Sequence, residues 1–62
     1  ANPIATFLAA SMMLDYLNEK ESAEQLRKAI ESCIASKETT PDLDGNLTTN
    51  EVTKRVITRI QN

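Results

Sequence analysis

A nearly uncharged run at the start of the chain, residues 2–16, most constrains what this sequence can fold into. Its only formal charge is Asp15. Asn2 followed by Pro3 indicates a helix start, because Asn is a preferred N-cap residue and proline is tolerated at the first helical position. Apolar residues then recur at helical spacing: Ile4, Phe7, Leu8, Met12 and Met13. Because a helix that is apolar on nearly all sides is normally buried from several directions, we expect this one to need extensive cover.

The size of the chain makes that cover hard to supply. A chain of 62 residues buries only about 60% of its unfolded surface, so its core is small. Cys33 is the only cysteine and there is no histidine, so neither an intramolecular disulfide nor a Cys/His zinc site can support the fold. We therefore expect a segment or subunit of a larger protein rather than a free-standing domain.

Charge and aromatic content exclude several classes of partner. The net charge is −2, with one Phe, one Tyr and no Trp, which predicts no nucleic-acid or anionic-membrane partner. The apolar run is too short and too interrupted by polar residues to span a bilayer. No basic region precedes it, so it does not have the pattern of a signal peptide.

Two further helices are predicted, and both have an amphipathic pattern. The first of them follows a capping-box signature at Ser22 and Gln25. It should run over residues 23–36 with one apolar stripe: Leu26, Ala29, Ile30, Cys33 and Ile34. A second capping box, Thr48 with Glu51, predicts a last helix over residues 49–61. With the first helix over residues 3–17 and no predicted strand, the segment is all-α.

No catalytic constellation can be found in the sequence. Without histidine there is neither a Ser-His nor a Cys-His pair, and Gly45 is the only glycine, so there is no glycine-rich phosphate loop. Cys33 is predicted to be a small core residue. Met12 and Met13 are predicted to fill the core rather than to contact a cofactor.

One loop has the pattern of a metal site. Over residues 40–51, a twelve-residue calcium loop would place Asp42, Asp44, Gly45 and Glu51 at positions 3, 5, 6 and 12. Position 1 is a threonine rather than an acid. A turn followed by a capped helix explains the same residues without a metal. A small helical binding module with an EF-hand-like calcium loop at 40–51 is thus the alternative function.

Two stretches carry a family resemblance across the whole chain. The first consists of ANPIA at residues 1–5 and LAASMML at residues 8–14; the second consists of TPDLDG at residues 40–45 and TTNE at residues 48–51. Together they resemble the C-terminal region of the isocitrate and 3-isopropylmalate dehydrogenases. These are metal-dependent enzymes that oxidise and decarboxylate 2-hydroxy acids.

The resemblance implies both a fold and an activity. The fold is an α/β isopropylmalate-dehydrogenase-like fold, in which residues 1–62 form a C-terminal helical segment of the large domain, packed against its sheet. The activity is that of an NAD-dependent oxidoreductase with Mg²⁺ or Mn²⁺, whose metal ligands and catalytic residues lie upstream of this region. The segment alone would not be catalytic. Its partner would be the remainder of the dehydrogenase chain or subunit, in a homo- or hetero-oligomer of the cytoplasm or mitochondrion. A structural role in a larger complex remains the third alternative.

The resemblance also assigns one cofactor-binding residue. Asn2 matches the family asparagine beside the adenine of the dinucleotide, and it is a plausible N-cap as well. NADP-using bacterial isocitrate dehydrogenases have a Tyr and an Arg that grip the 2′-phosphate where this chain has Pro41 and Gly45. Because Asp42 and Asp44 would further disfavour a phosphate, the prediction is NAD rather than NADP. Asp44 departs from the glycine of the family's TPDLGG motif, which leaves the geometry of that turn open.

Overall fold

The computed structural model describes residues 2–61 of the chain, except for the side chain of Gln61. Three helices follow one another: α1 (Pro3–Tyr16), α2 (Lys20–Ala35) and α3 (Thr49–Gln61). A single 3₁₀ turn at Pro41–Leu43 interrupts the loop between α2 and α3. No strand occurs within residues 2–61, so the all-α prediction for this segment is confirmed.

Helices α1 and α2 end in the same motif. After α1, Asn18 adopts a left-handed conformation with φ 64°, and its N–H donates to the Asp15 carbonyl at 3.0 Å. The next N–H, that of Glu19, reaches back to the Leu14 carbonyl at 2.8 Å. These two bonds define a Schellman motif, which satisfies carbonyls that the helix end leaves unpaired. Lys37 repeats the left-handed conformation, with φ 56°, after α2.

The predicted start of the second helix at residue 23 is wrong, because α2 begins at Lys20. The turn after α1 leads directly into α2, and the Glu19 carbonyl already accepts the first helical bond from Ala23 N–H at 3.0 Å. Ser22 therefore lies inside the first turn and does not cap the helix. The other bounds agree with the prediction to within one residue, which is the normal uncertainty of helix ends.

The core lies where the three helices meet. α2 contributes most of it, and α1 and α3 add residues from either side: Ile4, Leu26, Ala29, Ile30, Cys33, Val52 and Val56. Cys33 is completely buried, which confirms its prediction as a small core residue, and burial raises the pKa of its thiol. Partly buried apolar side chains surround this cluster: Phe7, Ala10, Leu14 and Leu47.

One side of α1 has no cover in this segment. Met12 is 70% exposed, Met13 65% and Tyr16 90%. With Ala9 and Leu17 these residues line a shallow apolar depression, which we call the outer face of α1. The prediction that Met12 and Met13 fill the core is therefore wrong for the core of this segment. None of the helices within residues 2–61 combines the length and apolar character required to cross a membrane.

Ion pairs tie the helices together at their edges. Between α1 and α2, Asp15 accepts from Arg27 at 2.7 Å, and this bond holds the pKa of Asp15 below its ordinary value. In the loop just after α2, Glu38 accepts from Arg59 at 2.6 Å and from Arg55 at 3.0 Å, both on α3. The hydrogen bond from Arg59 is the main reason why the pKa of Glu38 is lowered. The charged residues thus reinforce the arrangement that the apolar core sets.

Candidate functional site

Asn2, the residue with the sequence-predicted cofactor role, lies at the N-terminus of α1. Its Oδ1 accepts a hydrogen bond from the Ile4 N–H at 3.0 Å. Pro3 takes the first helical position, where its missing N–H costs nothing. The N-cap prediction for Asn2 is therefore confirmed. The cap bond also fixes which end of the side-chain amide faces the helix.

The other end of the Asn2 amide contacts a residue far along the chain. Nδ2 donates to Oδ2 of Asp42 at 3.1 Å, across 40 positions of sequence. The second carboxylate oxygen of Asp42, Oδ1, accepts from the hydroxyl of Thr40. Asp42 therefore links the start of α1 to the loop between α2 and α3. This link brings together the two stretches that carry the family resemblance.

The loop over residues 39–47 is held from within. Thr39 and Thr40 are both buried. The Thr39 carbonyl accepts from Leu47 N–H at 3.0 Å, and its hydroxyl donates to the Leu43 carbonyl at 3.1 Å. The Thr40 carbonyl accepts from the N–H groups of Leu43 and Gly45, at 2.9 and 3.2 Å. These bonds fix the backbone of the loop, and with it the position of the exposed residue Asp42.

Gly45 is required in this loop for space rather than for backbone conformation. A Cβ atom at Gly45 would lie 2.0 Å from the Thr39 carbonyl oxygen and 2.4 Å from its hydroxyl. The left-handed conformation belongs instead to the preceding residue, Asp44, with φ 65°. Aspartate tolerates this conformation better than most residues. The turn is thus built with Asp44 at the position where the family motif has glycine.

The second predicted capping box forms as expected. Glu51 accepts from the Thr48 N–H at 2.8 Å, and Thr48 Oγ1 accepts from the Glu51 N–H at 3.2 Å. The bond from the Thr48 backbone holds the pKa of Glu51 below its ordinary value. The Glu51 carboxylate is therefore committed to the start of α3.

The predicted calcium-loop residues do not converge on a common point. Within residues 2–61, no three Asp, Glu, Cys or His side chains form a group that could hold a metal ion. Asp42 instead accepts from Asn2 and Thr40, and Glu51 accepts from Thr48. The structure gives no support to the EF-hand-like alternative at residues 40–51.

The contact between Asn2 and Asp42 was missed by sequence reasoning. The Thr-Pro-Asp order at residues 40–42 indicates a turn, and the Asn-Pro pair indicates a helix cap. Neither local pattern reports a hydrogen bond between residues 40 positions apart. Only the family resemblance placed both stretches near one ligand, without naming Asp42 as a partner of Asn2.

Comparison with known proteins supports the family resemblance. The family model described as isocitrate/isopropylmalate dehydrogenase matches residues 1–56. A 3-isopropylmalate/3-methylmalate dehydrogenase of Methanocaldococcus jannaschii is 49% identical over 61 residues, 98% of this chain and 18% of its own. An isocitrate/homoisocitrate dehydrogenase of Thermus thermophilus is 47% identical over 57 residues, 92% of this chain and 17% of its own. No solved structure gives a significant match.

A third relative is named for a different substrate. A probable tartrate dehydrogenase/decarboxylase of Agrobacterium vitis is 42% identical over 60 residues, 97% of this chain and 17% of its own. The chain thus spans less than a fifth of the length of the relatives that it matches. It belongs to the isocitrate/isopropylmalate dehydrogenase family, and the family prediction is confirmed.

Proposed function

We propose that this chain is the C-terminal segment of an NAD-dependent dehydrogenase that oxidises and decarboxylates a 2-hydroxy acid of the isocitrate or 3-isopropylmalate type. The family membership of the segment supports this activity. The small share of each relative that it covers supports its role as one part of a larger enzyme. The names of the relatives differ in substrate, so we assign the class of acid only.

Within that enzyme, we assign the adenine side of the cofactor site to Asn2. The observation that carries this assignment is the state of its side-chain amide. Nδ2 donates one of its hydrogens to Asp42, and Oδ1 accepts one hydrogen bond from the Ile4 N–H. Because an amide has two donors and two acceptor positions, one of each is left within the described part of the chain. Adenine presents a donor and an acceptor on one edge, which an asparagine amide matches.

The charges around Asn2 favour NAD over NADP. Asp42 and Asp44 are both exposed, and two carboxylates disfavour the additional negative charge of a 2′-phosphate. Gly45 offers no side chain, and its contact with Thr39 leaves no room for one. A phosphate-gripping arginine could not be placed at position 45 unless the 39–47 loop were rebuilt. The charge and the shape of the loop therefore both support NAD rather than NADP as the cofactor.

The other parts of the reaction belong to the rest of the enzyme. When bound, NAD supplies a hydride acceptor for the 2-hydroxy carbon. No group within residues 2–61 fits the divalent metal, so we assign the Mg²⁺ or Mn²⁺ ligands to the remainder of the protein. The outer face of α1 would be covered by that remainder, since exposed methionine and tyrosine side chains in such a cluster mark an interface.

The adenine assignment is tested by Asn2→Ser in the full-length dehydrogenase. Serine caps a helix about as well as asparagine, so α1 keeps its start while the amide is lost. We expect the dissociation constant for NAD to rise about two- to tenfold, the value of about one hydrogen bond. Binding of nicotinamide mononucleotide, which lacks the adenine, should not change.

The two possible roles of Asn2, as a helix cap only and as an adenine contact, predict different ligand affinities. Titrating NAD, nicotinamide mononucleotide and nicotinamide hypoxanthine dinucleotide into the wild type and the variant separates them. If Asn2 contacts the base, the variant should lose part of its preference for NAD over the hypoxanthine analogue. An unchanged preference would show that Asn2 is only a helix cap, and the adenine assignment would be abandoned.

A further inference from the structure

We propose that Asp42 is a positioning residue that orients the Asn2 amide for the adenine base. This inference rests on the proposed adenine contact and goes beyond it. Neither the capping role of Asn2 nor the charge argument against NADP requires the Asp42 side chain to form a hydrogen bond. The hydrogen bond between Asp42 Oδ2 and Asn2 Nδ2, at 3.1 Å, is the observation that supports this role.

The two ends of an asparagine amide have opposite hydrogen-bonding character, so its orientation determines what it can recognise. In the observed orientation, the Ile4 N–H points at the amide oxygen and the Asp42 carboxylate accepts from the amide nitrogen. A flipped amide would place its NH₂ group against the Ile4 N–H and its oxygen against the Asp42 carboxylate. Both contacts would be repulsive, so Ile4 and Asp42 together select one orientation.

Asp42 is itself held in place before any ligand binds. Its Oδ1 accepts from the Thr40 hydroxyl, and Thr40 is 7% exposed. The 3₁₀ turn Pro41–Leu43 fixes the backbone on both sides of Asp42. An acceptor fixed in this way orients its partner at little additional entropic cost. The loop and the start of α1 therefore form one preorganised unit.

The selected orientation has a chemical consequence for the base. With one donor and one acceptor committed, the Asn2 amide keeps a defined order of remaining donor and acceptor. Adenine presents an amino donor beside a ring-nitrogen acceptor. Hypoxanthine has an oxygen acceptor in place of the amino group. An Asn2 amide in the same orientation would therefore place its own oxygen against that acceptor. Fixing the amide thus fixes the preference for adenine.

Two substitutions separate the hydrogen bond from the charge. Asp42→Asn removes the charge but keeps an oxygen that can accept from Asn2, while its NH₂ group can donate to Thr40. Asp42→Ala removes both the charge and the hydrogen bond. Each is made in the full-length dehydrogenase, and dissociation constants are measured for NAD, for NADP and for nicotinamide hypoxanthine dinucleotide.

The proposal predicts a specific pattern of ratios. Asp42→Ala should reduce the preference for NAD over the hypoxanthine analogue about two- to tenfold, the value of one hydrogen bond. Asp42→Asn should retain that preference. Both variants should bind NADP better than the wild type to a similar degree, because both lose the charge. In the double variant with Asn2→Ser, Asp42→Ala should add no further loss, as expected for residues that act through one contact.

Each contrary result identifies which claim fails. If Asn2→Ser reduces the base preference and Asp42→Ala does not, the positioning role is overturned and the adenine contact stands. If Asp42→Asn loses as much preference as Asp42→Ala, charge rather than the hydrogen bond acts, and the positioning role is again overturned. If Asn2→Ser itself leaves the preference unchanged, both proposals fall. Should Asp42→Ala not fold, Asp42→Ser, which is too short to reach Asn2, replaces it.

Discussion

Helices α1 and α3 have nearly the same length, 14 and 13 residues, but they bury their apolar side chains differently. α3 turns Val52 and Val56 inward, and both are fully buried. α1 buries Ile4 near its start, yet leaves Met12 and Met13 more than half exposed. Within the described residues, the segment thus buries the inner side of α3 but leaves the outer face of α1 uncovered.

The same contrast exists within α1. At its start, two hydrogen bonds hold the Asn2 side chain, one from the Ile4 N–H and one to the Asp42 carboxylate. In its last two turns, the outer face is a shallow apolar depression with no cover among residues 2–61. If the proposed function is correct, the start of the helix contacts the cofactor and its later turns pack against the remainder of the enzyme.

The largest loss of stability is expected from a core substitution in α3. Val56→Ala removes two methyl groups from a fully buried site. Lost burial and the resulting cavity should lower the free energy of unfolding of the full-length protein by about 2–3 kcal/mol. Lys54→Ala, at an exposed position of the same helix, is the matched control and should change it by about 0.5 kcal/mol or less. Urea unfolding of both variants makes the comparison, and equal effects would contradict the assigned core.

A smaller effect on stability is expected from the ion pairs that join Glu38, in the loop after α2, to α3. The pKa of Glu38 is lowered from 4.5 by the hydrogen bond from Arg59, so its stabilising contribution is fully present above pH 4.5. That contribution is lost as the pH falls below 4.5 through the lowered pKa, because the carboxylate is protonated. Glu38→Gln should therefore weaken the decrease in stability on acidification.

The control for this pH dependence is Glu21→Gln, because Glu21 is exposed and makes no ion pair within the described residues. Urea midpoints of the wild type and both variants are compared on either side of pH 4.5. Glu21→Gln should follow the wild type, and Glu38→Gln should not. If all three proteins showed the same pH dependence, Glu38 would not hold α3 against α2 in solution.

Local patterns predicted most of the fold. The Asn2 cap and the capping box of Thr48 and Glu51 depend on residues within four positions of one another. Four of the five residues of the predicted α2 stripe are buried, but the fifth, Ile34, is 44% exposed. The start of α2 was missed because the turn at Asn18 feeds directly into the helix and makes the cap at Ser22 unnecessary. Asparagine in a left-handed position is a weak signal in a sequence, since it competes with many other uses of that residue.

The candidate site was predictable only in part, because its main contact is long-range. The resemblance named Asn2, whereas the bond to Asp42 depends on how α1 packs beside the 39–47 loop. The burial of Met12 and Met13 was mispredicted for a related reason. An apolar helix pattern shows that a side chain requires cover, but it does not show which protein segment supplies that cover.

The central claim is that α1 belongs to a larger enzyme that covers its outer face. The most direct measurement is the rate at which peroxide oxidises Met12 and Met13 in the native full-length protein, followed by mass spectrometry of the peptide. The urea-unfolded protein gives the rate for full exposure. The account predicts that both methionines are oxidised many-fold more slowly in the native protein than in urea. Equal rates in the two states would show that the outer face is open to solvent and would contradict the claim.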